Sequence, residues 1–188
     1  MKLTGNLILT FILLILISSL YRIMPGRPWG FAPQIAMTFF GGAVIKDKKL
    51  AFLLPILSMF VSDALYELLY KTGIGTMPGF YKGQVTNYIL FASMTVFGFL
   101  ITKLNFTRIF LVALTAPTAY FILSNFVVWI GGGGLHRPKT FSGLMMCYND
   151  AWPFFGWSVA ASLVFSAVLF GGYALINKAV PAKNTQIA

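Results

Sequence analysis

The chain has 188 residues, of which 58% are hydrophobic and only 10% are charged, and its formal net charge is +10. A soluble domain usually carries about 25% charged residues, so this composition argues against a soluble enzyme and indicates a protein whose solvent is lipid. The single cysteine and single histidine exclude a disulfide framework and metal sites built from cysteine or histidine pairs, so we predict no metal and no cofactor.

The apolar residues fall into six long runs. A bilayer core of about 30 Å needs roughly 20 apolar residues in a helix. We therefore predict an all-α integral membrane protein with six transmembrane helices in one domain over residues 1–188. The spans are predicted at residues 5–23, 29–45, 50–70, 84–102, 108–130 and 153–176. Residues 2–21 lack a good small-x-small cleavage site, so we interpret them as an uncleaved first span and not as a signal peptide.

The connections between the spans predict an orientation. Eight Lys and Arg residues fall in short connections and tails on one side, and six fall in longer loops on the other. The excess of basic residues in short loops marks the cytoplasmic side. We therefore predict that both termini lie in the cytoplasm. The basic residues show no aromatic-interleaved patch, so we expect the lipid bilayer and no nucleic acid as a partner.

Two of the four acidic residues, Asp63 and Glu67, lie inside the third predicted span. They are four residues apart and share one helix face. A charged side chain at the centre of a membrane helix costs roughly 2.5 to 3.5 kcal/mol, so this face is expected to point into the bundle or into a watery cavity. The structural alternative is an internal salt bridge, for example to Arg22 or Arg27.

Further polar and aromatic residues fall near the outer ends of the predicted spans. With Asp63 and Glu67 they form the predicted substrate-binding set, whose other members are Asn87, Asn125, Asn149, Tyr66, Trp129 and Trp152. The inner halves of the spans hold little that is more polar than serine and threonine, which favours a cup open to one side over a continuous channel. The alternative for the Tyr and Trp residues is an aromatic belt at the membrane interface.

Residues 131–150 form the most unusual connection. Four consecutive glycines at 131–134 are followed by an apolar stretch that is too short to span a bilayer. We predict a short re-entrant or surface helix at 141–150, before the last span. The glycines would suit a gate or lid, and the alternative is a merely long loop with a surface helix. Small residues at 41–43 and at Ser58 and Ser62 predict close helix contacts, chiefly within the bundle.

Several stretches resemble a family of small bacterial membrane transport proteins whose substrate is not established. They are FFGGA at residues 39–43, the run LAFLLP at 50–55 with Ser62 and Asp63 downstream, and the later positions 143–155 and 170–172. In size and six-span layout the chain is similar to the substrate-binding S components of energy-coupling-factor (ECF) vitamin transporters. The first span lacks the Ala-x-x-x-Ala docking motif that many such subunits carry.

The resemblance implies a multi-pass protein of the bacterial cytoplasmic (inner) membrane. It further implies a substrate-binding component for uptake of a small, vitamin-like solute from the outer side, and not an enzyme. It implies as partners a transmembrane coupling subunit with ATPases, with a solitary transporter or another membrane complex left open. The alternative function is a non-transporting accessory subunit of a larger membrane complex, in which Asp63 and Glu67 would form a buried ionic clasp. An intramembrane enzyme is a third hypothesis, but no motif places a serine, the histidine and an acid together.

Overall fold

The computed structural model describes residues 5–179, with side chains described for residues 9–176. Within this range the regular secondary structure is all α-helical, which confirms the all-α part of the predicted fold class. The described helices are α1 (Gly5–Ile23), α2 (Gln34–Val44), α3 (Lys48–Lys71), α4 (Gln84–Ser93), α5 (Thr95–Phe99), α6 (Phe106–Ile130) and α7 (Phe141–Ala179).

Three described helices, α3, α6 and α7, are long and apolar enough to cross a membrane, by length and composition. Many of their apolar side chains lie on the outside of the bundle, and α1 likewise exposes Leu9, Leu13, Ile17 and Leu20. Large exposed apolar surfaces on a folded protein mark contact with a membrane or another protein. These features indicate an α-helical membrane protein, whereas the full set of six spans stays a prediction.

The second and fourth predicted spans differ from the observed helices. α2 begins at Gln34, after Pro33, and its 11 residues extend about 16 Å, which is too short to cross a bilayer. The predicted span at 84–102 is divided into α4 and α5 at Met94, where the Met94 and Phe97 amides bond to carbonyls three residues earlier. α5 lies so close to α2 that a Cβ on Gly98 would overlap the α2 backbone. This tertiary contact accompanies the break.

The prediction of a separate short helix at 141–150 was wrong. These residues form the first turns of α7, a continuous helix of 39 residues that includes Pro153. Proline within a helix removes one backbone hydrogen bond, and contacts with neighbouring helices can compensate for this loss. Here the turns before Pro153 are held on α6, because the Tyr148 hydroxyl donates to the Ile122 carbonyl at 3.0 Å and the Tyr148 and Phe121 rings lie 5.6 Å apart.

Small polar residues bring α1 and α3 together. The Ser18 and Ser58 hydroxyls are 2.7 Å apart, and the Ser19 hydroxyl donates to the Ser58 carbonyl at 2.9 Å. Small side chains let membrane helices approach closely, so the expectation of such packing within the bundle is confirmed at Ser58. α3 itself begins after an N-cap, Asp47, whose side chain accepts hydrogen bonds from the Lys49 and Leu50 amides.

Candidate functional site

A cavity of about 380 Å³ lies where the C-terminal parts of α1, α3 and α6 meet the N-terminal parts of α2, α4 and α7. The connections at residues 24–33 and 72–83 contribute the rest of its wall. Much of the wall is aromatic, and its rings include Trp29, Tyr66, Phe91, Tyr120, Phe121 and Phe155. Small-molecule sites are typically concave, about 300–1,000 Å³ in volume, and apolar with a few convergent polar groups.

Asp63 is the one carboxylate in the wall of this cavity, and its residue is only 1% exposed. One of its oxygens pairs with the Arg22 guanidinium of α1. The other accepts from the Gln84 amide at 2.6 Å and from the Tyr88 hydroxyl at 2.7 Å. An ionised carboxylate offers about four acceptor positions, so three donors commit most of its capacity. Asp63 therefore joins α1, α3 and α4 and leaves little of its carboxylate for a ligand.

Arg22 and Tyr66 support each other beside Asp63. The Tyr66 hydroxyl donates to the Arg22 carbonyl at 2.7 Å, and the guanidinium lies over the Tyr66 ring, 5.5 Å from its centroid. Arg22 also donates to the Ser62 hydroxyl at 2.5 Å. The sequence named Arg22 only as one of two candidate partners for Asp63, and the structure selects it.

Glu67 lies one turn beyond Asp63 but does not belong to the wall of the cavity. It accepts from the Gly79 amide at 3.1 Å and pairs with Lys71 at 3.2 Å. We call residues 72–83 the strap, because they run from the end of α3 across the cavity to α4. Gly79 of the strap contacts the α3 backbone so closely that an added Cβ would overlap the Asp63 carbonyl oxygen. Glu67 therefore anchors the strap, which carries Met77, Pro78 and Tyr81 into the cavity wall.

Asn87 and Asn125 both line the cavity, as the sequence-based set would require. The Asn87 amide donates to the Tyr81 hydroxyl at 2.9 Å, and its oxygen accepts from the Tyr120 hydroxyl at 2.6 Å, so it links the strap, α4 and α6. The Asn125 amide donates to the Phe121 carbonyl at 2.8 Å. Burial raises the pKa of Tyr81, so this strap residue stays a neutral phenol at neutral pH.

The other three members of the predicted set lie outside the wall of this cavity. The Trp129 indole donates to the Pro138 carbonyl at 2.8 Å, and Lys139 lies over its ring. Trp152 is 63% exposed and packs beside the rings of Phe121 and Phe155, which themselves line the cavity. Asn149 is exposed on α7. The structure thus brings together Asp63, Tyr66, Asn87 and Asn125, and it separates the remainder.

The segment at 131–150 also stays apart from the cavity wall. Its turn contains Gly132, Gly134 and His136 at positive φ, and His136 Nδ1 lies 2.6 Å from the Gly132 carbonyl oxygen. Arg137 donates to both oxygens of Asp150 at 2.8 Å. This ion pair raises the pKa of Arg137 and ties the loop to α7. In the described chain it is the strap, and not this loop, that covers the cavity.

Sequence reasoning did not assign several wall residues to the site. Arg27, Tyr81 and Tyr120 are examples, and a tyrosine within an apolar run such as Tyr120 carries no local signal of what it faces. Gln34 was visible as a polar residue at the outer end of the second predicted span. Its residue is only 2% exposed, and its side-chain oxygen has no hydrogen-bond partner among the described residues.

The wall supplies guanidinium groups, amides, hydroxyls and aromatic rings, which are groups suited to binding a small molecule. Among the described residues no three His, Cys, Asp or Glu side chains come together as a metal site would require. Fold and cavity together define a helical protein of the membrane type with a small-molecule-sized cavity at one end of its bundle.

The chain belongs to the Family of unknown function (DUF6580), which it matches over residues 2–183. No curated protein and no solved structure matches it.

Proposed function

We propose that the protein is the membrane-embedded substrate-binding component for uptake of a small, vitamin-like solute across a bacterial cytoplasmic membrane. The observation that carries this proposal is the cavity of about 380 Å³, which lies at one end of the bundle behind an aromatic wall. The distribution of basic residues, with both termini predicted in the cytoplasm, would make this end the outer one.

Within this function the wall residues have different roles. Asn125, Tyr66 and the neighbouring rings would contact the solute directly, because Asn125 uses only its amide nitrogen within the described residues. Asp63 and Asn87 would instead organise the site, since their polar atoms already bind Arg22, Gln84, Tyr88, Tyr81 and Tyr120. Glu67 would hold the strap. A direct role for Asn149, Trp129 or Trp152 would require the segment at 131–150 to move.

Uptake against a gradient needs an energy source. The sequence carries no nucleotide-binding motif, so the energy would come from a partner ATPase module, as in the ECF transporters that the chain resembles, or from an ion gradient. Uptake with an ion gradient would make the protein a solitary transporter.

A second candidate is a non-transporting accessory subunit of a larger membrane complex. The observation that favours it is the commitment of Asp63 to three donors, which is what an ionic clasp between α1, α3 and α4 requires. In that case loss of Asp63 would break assembly, and the cavity would take no solute.

Native mass spectrometry of the gently extracted protein separates the two candidates. Ser124 lines the cavity on α6, whereas the adjacent Leu123 points outward and is 43% exposed. Ser124→Phe would fill the cavity, and Leu123→Phe adds a ring on the same helix outside it. We expect a small-molecule adduct on the wild type and on Leu123→Phe, and its loss from Ser124→Phe. A chain without any adduct that travels with a stoichiometric protein partner would contradict solute binding and favour the accessory role.

A further inference from the structure

The wall of the cavity carries one more positive charge than negative charge. Its charged side chains are Arg22, Arg27 and Asp63. Asp63 neutralises Arg22 through their ion pair. Arg27 has no carboxylate partner among the described residues.

The remaining acidic residues cannot supply that partner. The whole chain contains four acidic residues, and all of them lie in its described part. Asp47 caps α3, Glu67 pairs with Lys71, and Asp150 pairs with Arg137. Every carboxylate side chain is thus engaged elsewhere, so the charge of Arg27 has no counterion within the described part of the chain. The neutral phenol of Tyr81 adds no negative charge to the wall.

Backbone groups hold Arg27 in place without neutralising it. Its guanidinium donates to the carbonyls of Arg22 at 3.1 Å, Pro28 at 3.4 Å and Phe31 at 3.2 Å. These bonds use Nε and Nη1, and Nη2 makes no hydrogen bond within the described residues. A planar guanidinium that is oriented in advance and keeps free donors is suited to bind a carboxylate or a similar oxyanion.

Gln34 provides a second polar feature of the same wall. Its amide nitrogen donates to the Ser18 carbonyl at 3.3 Å, while its buried oxygen lacks a partner among the described residues. Buried polar atoms are normally hydrogen-bonded, so this oxygen is an unused acceptor in a residue that lines the cavity. The aromatic walls favour a flat body between these polar features.

We propose that the solute is a flat, ring-containing monoanion whose negative group binds Arg27 and whose N–H or O–H group reaches Gln34. This inference rests on the proposed solute-binding function and adds the charge and shape of the solute. One excess positive charge favours a singly charged group over a dianionic phosphate. The headgroup of an anionic phospholipid carries the same single negative charge but has no ring, so the test has to distinguish it from a free ring carboxylate.

The test uses matched pairs of probes and the purified full-length protein in detergent, with binding measured by calorimetry. Each pair is a ring carboxylate and its neutral amide, for example benzoate with benzamide and indole-3-acetate with indole-3-acetamide. We expect carboxylates to bind at least about tenfold more tightly than their amides, because a charge-assisted hydrogen bond is roughly twice as strong as a neutral one. Arg27→Gln should abolish this preference and Arg27→Lys should retain part of it. Arg108→Gln, which removes a cation at the start of α6 outside the cavity wall, should leave the preference unchanged.

Three outcomes would overturn the proposal, and they remain distinguishable. If the native adduct is neutral, or if amides bind as tightly as carboxylates, the inference fails while solute binding stands. If neither series binds up to about 1 mM and the native spectrum carries no small-molecule adduct, the proposed function fails as well. Repeating the titration in nanodiscs of phosphatidylcholine with and without phosphatidylglycerol distinguishes a free ring carboxylate from a lipid headgroup as the source of the anion. Competition by phosphatidylglycerol would assign the anion site to a lipid headgroup and overturn the ring-containing solute, whereas the absence of competition would support a free ring carboxylate.

Discussion

Removal of Asp63 should destabilise the fold as well as impair uptake. Asp63 is 1% exposed and receives donors from Arg22, Gln84 and Tyr88, which lie on α1 and α4. Asp63→Ala would leave a guanidinium, an amide and a hydroxyl without their acceptor. Loss of one partner of a buried ion pair typically costs about 3–5 kcal/mol of the free energy of unfolding. The Arg22 side chain is 18% exposed and keeps Ser62, so we expect the lower end, about 3 kcal/mol.

A double-mutant cycle measures this interaction directly. Asp63→Leu and Arg22→Met each leave the other group unpaired, whereas the double variant removes both charges. We expect each single variant to be clearly less stable than the wild type and the double variant to recover at least about 1 kcal/mol relative to the sum of the two singles. The measurement is reversible denaturant unfolding in mixed micelles, followed by tryptophan fluorescence.

Glu67→Gln is the matched control on the same helix face. Glu67 lies outside the cavity and pairs with the exposed Lys71, so its replacement should change the free energy of unfolding less than either Asp63 variant. Additive effects of Asp63→Leu and Arg22→Met would refute the argument, as would Asp63 variants as stable as the wild type. Asp63→Ala is also expected to abolish uptake. Asp63→Asn keeps the size of the side chain, so loss of uptake in an Asp63→Asn variant that still folds would separate a role in transport from a role in folding.

Three further predictions concern other contacts. Gly98→Ala should lower the melting temperature, because its Cβ would lie 2.7 Å from the α2 backbone at the Cα of residue 42. The control Gly171→Ala has open space around its Cβ and should be neutral or stabilising. Equal melting temperatures of the two variants would contradict the close packing of α5 on α2. Gly79→Ala should displace the strap from α3 and raise hydrogen exchange at 72–83, and unchanged exchange would show that the strap does not depend on this contact. Arg137→Gln should free the loop from Asp150, so hydrogen exchange at 131–140 should rise while that of the strap stays constant; an equal rise in both segments would indicate general destabilisation.

Hydropathy predicted the helices well where a helix depends mainly on its own composition. The predicted first span coincides with α1, and the predicted span at 108–130 begins two residues after α6 does. The cost of a charge in lipid also predicted that Asp63 would face inward, and it is buried. These inferences succeed because composition and helix periodicity are local properties of the sequence.

The breaks and joins between helices were not predictable in this way. Nothing in the run at 84–102 signals a break at Met94, which accompanies the close contact of Gly98 with α2. The last predicted span begins at Pro153, whereas α7 begins at Phe141. Contacts of Tyr148 with α6 hold the preceding turns in the same helix instead.

The residues of the candidate site show the same difference between local sequence properties and contacts between distant helices. The sequence by itself determined that this is an apolar, helical chain with few charges, which must be paired or turned inward because lipid cannot solvate them. Only the tertiary structure decided that Asp63 pairs with Arg22, that Glu67 anchors the strap, and that Arg27 lines the cavity without a carboxylate. The physical reason is that each of these outcomes depends on how helices distant in sequence pack, and the register of α1 against α3 is set by serine contacts some 40 residues apart.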